Sequence, residues 1–78
     1  MASDEGNAPE GREYTASEET TSRHPQDWGR ALGIVFERLA QQAAADGADA
    51  DTALLNADVA VRISETPDGV RIDASWGA

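Results

Sequence analysis

The hydrophobic residues of this chain recur with two different periods, and the first is helical. Between residues 28 and 43 they are spaced three and four apart, at Trp28, Ala31, Leu32, Val35, Phe36, Leu39, Ala40 and Ala43. This spacing places them along one face of an α-helix. Pro25 suits the first helical position, where its missing N–H has no partner to lose, and Gly47 suits the residue after the last turn. We predict an amphipathic helix over about residues 25–46.

The second period is two, and it occupies the C-terminal part of the chain. Apolar residues alternate with polar ones in two runs, at Val59, Val61 and Ile63 and then at Val70, Ile72, Ala74 and Trp76. Such alternation is typical of strands with one buried face, and the sequence ETPDG between the runs is rich in turn-forming residues. We predict an antiparallel β-hairpin with strands over about 58–64 and 70–76.

The hairpin can be closed in two registers. A type I turn with a glycine bulge pairs Thr66 with Val70 and mixes apolar with polar positions across the strands. Closing it at Glu65 and Val70, around a four-residue loop, gives the apolar pairs Val59–Trp76, Val61–Ala74 and Ile63–Ile72. Because a slip of one residue turns every side chain to the other face, we expect the second register. It places Arg62 opposite Asp73 and Ser64 opposite Arg71 on the polar face, and Arg62 and Arg71 are candidate contact residues.

The connector between helix and hairpin reads ADGADADTALLNAD. Asp51 suits the N-cap of a single helical turn over residues 52–56, which would tuck Leu54 and Leu55 under the core. Asp46, Asp49 and Asp51 alternate as in a calcium loop. The glycine position and the closing glutamate of such a loop are absent, so we predict no metal site.

The first 22 residues are acidic and rich in Ser, Thr and Gly, with Tyr14 as their only large apolar residue. Such a segment buries too little surface to offset the entropy lost on ordering. We predict a disordered acidic tail over residues 1–23, followed by a small αββ domain over residues 24–78. The fold class is therefore α+β.

Two glycines interrupt the predicted helix. Gly29 and Gly33 stand four residues apart on one flank, and each costs about 1 kcal/mol relative to alanine in a helix interior. We expect another element to approach the backbone there, either a strand or loop of the domain itself or a partner helix or second copy. Ile34 lies off the main apolar face, and its exposure would favour a partner.

Composition narrows the function classes. The formal net charge is −9, with six Arg and no Lys, which argues against binding nucleic acid or anionic lipid and favours a protein partner. There is no cysteine, and no apolar run is long enough to cross a membrane. With no signal-peptide pattern at the N-terminus, we expect a cytoplasmic protein, and the many Ala residues suggest a bacterial source.

The acidic residues fall in the tail, the connector and the polar hairpin face, so no convergent acid–base pair is indicated. His24, the only histidine, is expected to be solvated. We therefore expect a non-catalytic interaction module without cofactors, an adaptor or accessory subunit that associates with itself or a larger protein. The surfaces proposed for this are the helix flank and the open hairpin edge.

Trp76 separates this interpretation from an alternative. In the expected register Trp76 is a core residue facing the helix. If it were displayed, the chain could be a ribosomal precursor or scaffold peptide whose Ser-Trp-Gly-Ala end is acted on by modifying enzymes. Trp76 is then the candidate modification site.

Overall fold

The computed structural model describes residues 13–77, which form one helix packed on a three-stranded sheet. The strands are β1 (Glu13–Thr20), β2 (Ala60–Thr66) and β3 (Gly69–Gly77), and the helix is α1 (Gly29–Ala45). β3 lies in the centre of the sheet and pairs antiparallel with both neighbours, in the order β1-β3-β2. The two edge strands are thus parallel to each other and are linked through α1, a split β-α-β arrangement. The α+β class and the C-terminal hairpin are confirmed.

Strand β1 corrects the sequence analysis, which assigned residues 1–23 to a disordered tail. Residues 1–12 lie outside the described part of the chain, but Glu13–Thr20 pair along their whole length with β3. Tyr14 stands opposite Trp76 and Ala16 opposite Ala74, on the face that the helix covers. The prediction fails here because this strand is held by its neighbours. Its own sequence has too few apolar residues to show an alternating pattern.

The helix is found close to the predicted bounds of 25–46. Pro25–Asp27 form a short 3₁₀ turn, and α1 proper begins at Gly29. The buried residues of α1 are Ala31, Val35, Leu39, Ala40 and Ala43, all of them in the predicted apolar stripe. Gly47 has a φ of 105°, the left-handed conformation that commonly follows the last helical turn.

The hairpin has the predicted register with a shorter loop. Ile63 stands opposite Ile72 and Val61 opposite Ala74. The ladder continues to a pair between Thr66 and Gly69, so the loop contains residues 67 and 68 only, where four residues had been expected. At the other end the first pair is Ala60 with Ser75, and the expected pair of Val59 with Trp76 lies outside the ladder.

The core lies between α1 and the strands β1 and β3. Val35, Leu39 and Ile72 are its largest fully buried side chains. Tyr14 and Trp76 close one end, with ring centroids 5.4 Å apart and ring planes tilted by 44°. The Tyr14 hydroxyl donates a hydrogen bond of 2.8 Å to Asp46 Oδ2 at the end of the helix. Trp76 is 2% exposed, so the core position expected for it is confirmed.

The connector forms a series of turns over residues 50–56 in place of the predicted helical turn. The capping role falls to Asp49, whose Oδ1 accepts a hydrogen bond of 2.9 Å from the Asp51 amide. Leu54 is half-buried against the core, as expected. Leu55 is 61% exposed, so its predicted place under the core is wrong. Tight turns point neighbouring side chains in different directions, and only one of the two leucines faces inward.

Gly69 is required where β3 leaves the hairpin loop. A Cβ built on this residue would overlap the carbonyl oxygen of Thr20 and lie 2.7 Å from the Cα of Thr21. Backbone atoms of the paired strand cannot move aside as a flexible side chain can. The absence of a side chain at Gly69 therefore lets the end of β1 approach β3.

We predict that Gly69→Ala lowers the free energy of unfolding by about 1–3 kcal/mol, the usual cost of forcing atoms into a packed site. The matched control is Gly33→Ala, since a Cβ at Gly33 meets nothing within 4 Å. It should raise stability by about 0.5–1 kcal/mol through helix propensity. Urea unfolding followed by circular dichroism measures both, and equal stability of Gly69→Ala and wild type would contradict the crowding argument.

Trp76 carries the one buried side-chain polar atom without a hydrogen-bond partner among residues 13–77, its Nε1. A buried, unpaired N–H is destabilising by about 1–3 kcal/mol. We predict that Trp76→Phe, which removes this donor along with some apolar area, costs less than about 1.5 kcal/mol. Leu39→Ala, which leaves a cavity at a fully buried site, should cost about 2–5 kcal/mol. Thermal unfolding of both variants tests the ranking, which the reverse order would refute.

Candidate interaction surface

The two edge strands of the sheet, β1 and β2, differ in whether side chains bond to their outer backbone groups. At the free edge of β1, side chains of α1 reach over to the backbone. Arg38 Nη1 donates to the Ser17 carbonyl at 2.7 Å, and Gln42 Nε2 donates to the Thr15 carbonyl at 2.7 Å. Arg38 Nη1 also lies 3.6 Å from Glu18 Oε1. These contacts occupy acceptors that an incoming strand would need, so the β1 edge is blocked.

The free edge of β2 is open over its central part. Thr66 and Gly69 flank a two-residue loop, so they form a hydrogen-bonded pair, and every second residue along β2 points its backbone at β3. The residues between them, Val61, Ile63 and Glu65, direct their N–H and C=O groups away from the sheet. Within residues 13–77 no side chain bonds to these groups.

The side chains of the same strand are also uncovered. Val61 is 42% and Ile63 is 40% exposed, although both stand on the apolar face of the sheet. The reason is the position of the helix, which packs on β1 and β3, whereas no Cα atom of α1 lies within 8 Å of a Cα atom of β2. An open backbone edge and an apolar strip therefore coincide on β2.

The helix forms one wall beside this strip. Because Arg38 and Gln42 reach β1, the flank of α1 on the other side faces β2, and helical geometry places Leu32 and Phe36 there. Both are half-buried against the core. We call the combination of Leu32, Phe36, Val61, Ile63 and the β2 backbone edge the β2 shelf.

Gly29 and Gly33 lie on the same flank of α1 as Leu32 and Phe36, further from the sheet. A Cβ on either glycine would meet nothing within 4 Å, so no strand or loop among the described residues approaches the backbone there. The expectation of an internal contact is thus not met. The partner alternative stays a prediction.

Ile34 is on the opposite flank, facing β1. It is half-buried and lines a shallow depression with Glu18, Thr20 and Arg30. The structure therefore does not bring Ile34 together with Gly29 and Gly33.

Arg62 and Arg71 stand together on the polar face of the sheet, away from the helix. Arg71 Nε donates to Asp73 Oδ1 at 2.9 Å, and Arg71 Nη2 lies 3.3 Å from Ser17 Oγ. The hydrogen bond to Asp73 raises the pKa of Arg71. Arg62 is exposed and stands opposite Asp73 in the ladder, as the sequence predicted. Within the described part of the chain this face is polar, and the ion pair between Arg71 and Asp73 lies on it.

The described residues offer few alternatives to the β2 shelf. Among them, no group of three or more His, Asp or Glu side chains is placed to hold a metal ion. Their one α-helix is neither long nor apolar enough to span a membrane. His24 is exposed at the start of the 3₁₀ turn.

Comparison with known proteins gives no further assignment. No protein-family model matches the chain, no curated protein matches it, and no solved structure matches it.

Sequence reasoning identified the open hairpin edge and the apolar alternation of β2, but it did not predict which strand the helix would leave uncovered. It missed Arg38 and Gln42, whose role depends on a strand that had not been predicted. The available signal in the sequence was that Arg38 and Gln42 are four residues apart and border the apolar stripe of the helix.

We predict that Arg38→Ala/Gln42→Ala exposes the β1 edge and makes the protein aggregate at concentrations where wild type does not. The loss of two side-chain hydrogen bonds should also cost about 1–3 kcal/mol. The matched control is Arg30→Ala/Gln41→Ala, which changes the same residue types at exposed positions of α1. Dynamic light scattering over a concentration series compares them, and identical behaviour of the two double variants would contradict the blocking role.

Proposed function

We propose that the chain is a small, non-catalytic protein-interaction module that acts in the cytoplasm and binds another polypeptide chain at the β2 shelf. The observation that carries the proposal is the difference between the edges of one sheet. Side chains of α1 block the β1 edge, whereas the outward backbone groups of β2 have no partner among residues 13–77 and lie beside exposed Val61 and Ile63. A strand that is both apolar and open is a template for another strand.

Strand addition provides the binding energy in two parts. The backbone groups of Val61, Ile63 and Glu65 hydrogen-bond to an added strand whatever its sequence, and the side chains on the helix face select apolar residues in alternate positions. The half-buried flank of α1 faces the β2 side of the sheet, and β2 itself lies between this flank and the added strand. Gly29 and Gly33 leave room above that flank for a close approach by the larger body of a partner.

The net charge of the chain affects the rate at which a partner is encountered more than it affects the contacts of the bound state. With a net charge of −9, the chain attracts basic proteins over several ångströms and repels nucleic acid. Beside the β2 edge, Arg23 Nε lies 3.3 Å from Glu65 Oε2, which partly neutralises an acid that an incoming strand would otherwise meet unpaired. The edge itself can therefore accept strands of different charge.

The alternative of a modified precursor peptide has no observation in its favour. It requires an accessible indole at Trp76, and in the folded chain this side chain is 2% exposed and packs on Tyr14. An enzyme would have to unfold the end of β3 before reaching it.

The proposal is tested by affinity capture from the native host with tagged wild type, Ile63→Lys and Thr15→Lys. A lysine at Ile63 places a charge on the apolar strip, whereas Thr15 is exposed on the polar face and receives the same change in charge. We expect at least one polypeptide, a larger protein or the untagged chain itself, to be retained by wild type and Thr15→Lys and lost with Ile63→Lys. Once purified, it should bind wild type at least about tenfold tighter than Ile63→Lys.

Circular dichroism of both variants checks that they fold as wild type does, so that a loss of capture reports on binding. If no captured polypeptide distinguishes Ile63→Lys from Thr15→Lys, binding does not occur at the β2 shelf and the proposed function is wrong.

A further inference from the structure

We infer that the polypeptide bound at the β2 edge is a second copy of this chain, paired antiparallel β2 to β2 about a two-fold axis through Ile63. The inference rests on the proposed function, because it names the occupant of the same edge. It follows from the symmetry of the edge, the position of its charges and the blocked state of the opposite edge.

The first argument is that β2 is self-complementary. The strand runs from Ala60 to Thr66, so Ile63 is its central residue. The outward-directed residues Val61, Ile63 and Glu65 are placed symmetrically about that centre. A two-fold axis at Ile63 therefore pairs Ile63 with Ile63 of the second copy, and Val61 with Glu65 of the second copy. All three outward residues of each strand then form backbone hydrogen bonds, about six in total.

Neighbouring registers are worse for specific reasons. An axis at Arg62 would set two arginine side chains directly opposite each other, and like charges across a strand pair are destabilising. An axis at Ser64 would bring Val61 opposite Pro67, which has no N–H to donate. The axis at Ile63 avoids both faults and places the two exposed isoleucines in contact.

The second argument concerns where assembly stops. Pairing at β2 joins two sheets into one of six strands, in the order β1-β3-β2-β2-β3-β1. Its outer edges are then both β1, where Arg38 and Gln42 already occupy backbone carbonyls. Among the described strands each copy has one open edge, which yields a closed dimer, whereas two open edges would yield an extended polymer.

The expected dimer is a weak one. Two seven-residue strands meet over a length of about 24 Å, which is a short interface by the standards of permanent dimers. The exposed apolar area added by Val61 and Ile63 is modest. We therefore expect a dissociation constant in the micromolar range, with monomer and dimer in exchange.

The dependence of binding on salt distinguishes a second copy of this chain from a basic partner protein. Each copy carries a net charge of −9, so the two copies repel each other at low ionic strength. Added salt screens that repulsion, and dimerisation should strengthen by about threefold or more between 20 and 200 mM NaCl. A basic partner protein would respond in the opposite direction, because salt screens an attraction.

Cross-linking of the full chain tests the register, since the protein has no cysteine and any introduced thiol is unique. In the proposed register the Cα atoms of the two Ile63 residues are about 5.5 Å apart, within disulfide range. Ile63→Cys should form a disulfide dimer under mild oxidation. Ala60→Cys, at the exposed end of the same strand, lies about 20 Å from its own copy and should not. A mixture of Ala60→Cys and Thr66→Cys should cross-link, because these positions stand opposite each other.

Light scattering of wild type and Ile63→Lys over a dilution series, at low and high salt, completes the experiment. A wild type that stays monomeric at hundreds of micromolar, or a dimer that Ile63→Lys leaves intact, overturns the inference, as does cross-linking of Ala60→Cys as efficient as that of Ile63→Cys. If wild type is monomeric while a larger protein still depends on Ile63 for capture, the inference fails and the proposed function stands.

Discussion

The position of α1 over one side of the sheet is the constraint on which the rest of the structure depends. A helix is about 10 Å wide and strands are about 4.8 Å apart, so one helix covers two strands and leaves the third uncovered. That strand is β2, because α1 packs on β1 and β3, and Arg38 and Gln42 on its β1 flank donate to the carbonyls of Ser17 and Thr15. In this position α1 buries the apolar face of β3, its side chains block the β1 edge, and Val61 and Ile63 stay at the surface.

The parts of this fold that could be predicted are those whose pattern is local. The helix follows from spacings of three and four, and the hairpin register follows from the pairing of Ile63 with Ile72, which outweighed the usual preference of the turn. β1 could not be predicted, since Glu18 and Thr20 occupy positions on its inner face where an alternating pattern would have apolar residues. It forms a strand because its backbone pairs with the edge of β3 that β2 does not occupy.

The candidate surface was only half accessible to sequence reasoning. Any isolated pair of strands has two open edges, so an open edge could be expected from the hairpin pattern. The difference between a blocked β1 edge and an open β2 edge depends on a third strand and on which flank of the helix faces it. Gly29 and Gly33 were grouped with Ile34 from the sequence, and the structure separates them because they lie on opposite flanks of α1. Sequence spacing places residues around a helix axis. It does not tell which side of the sheet each flank will face.

The central strand is also the last one in chain order, and this affects how the molecule folds. β1 and β2 do not touch each other; each pairs only with β3, and Glu13 meets Gly77 although they stand at opposite ends of the described chain. During synthesis on the ribosome, α1 and both outer strands emerge before the segment that organises them. The pairing of β2 with β3 is local in sequence, whereas the pairing of β1 with β3 is distant and therefore forms more slowly. A nascent chain stalled before Val70 would have no sheet at all.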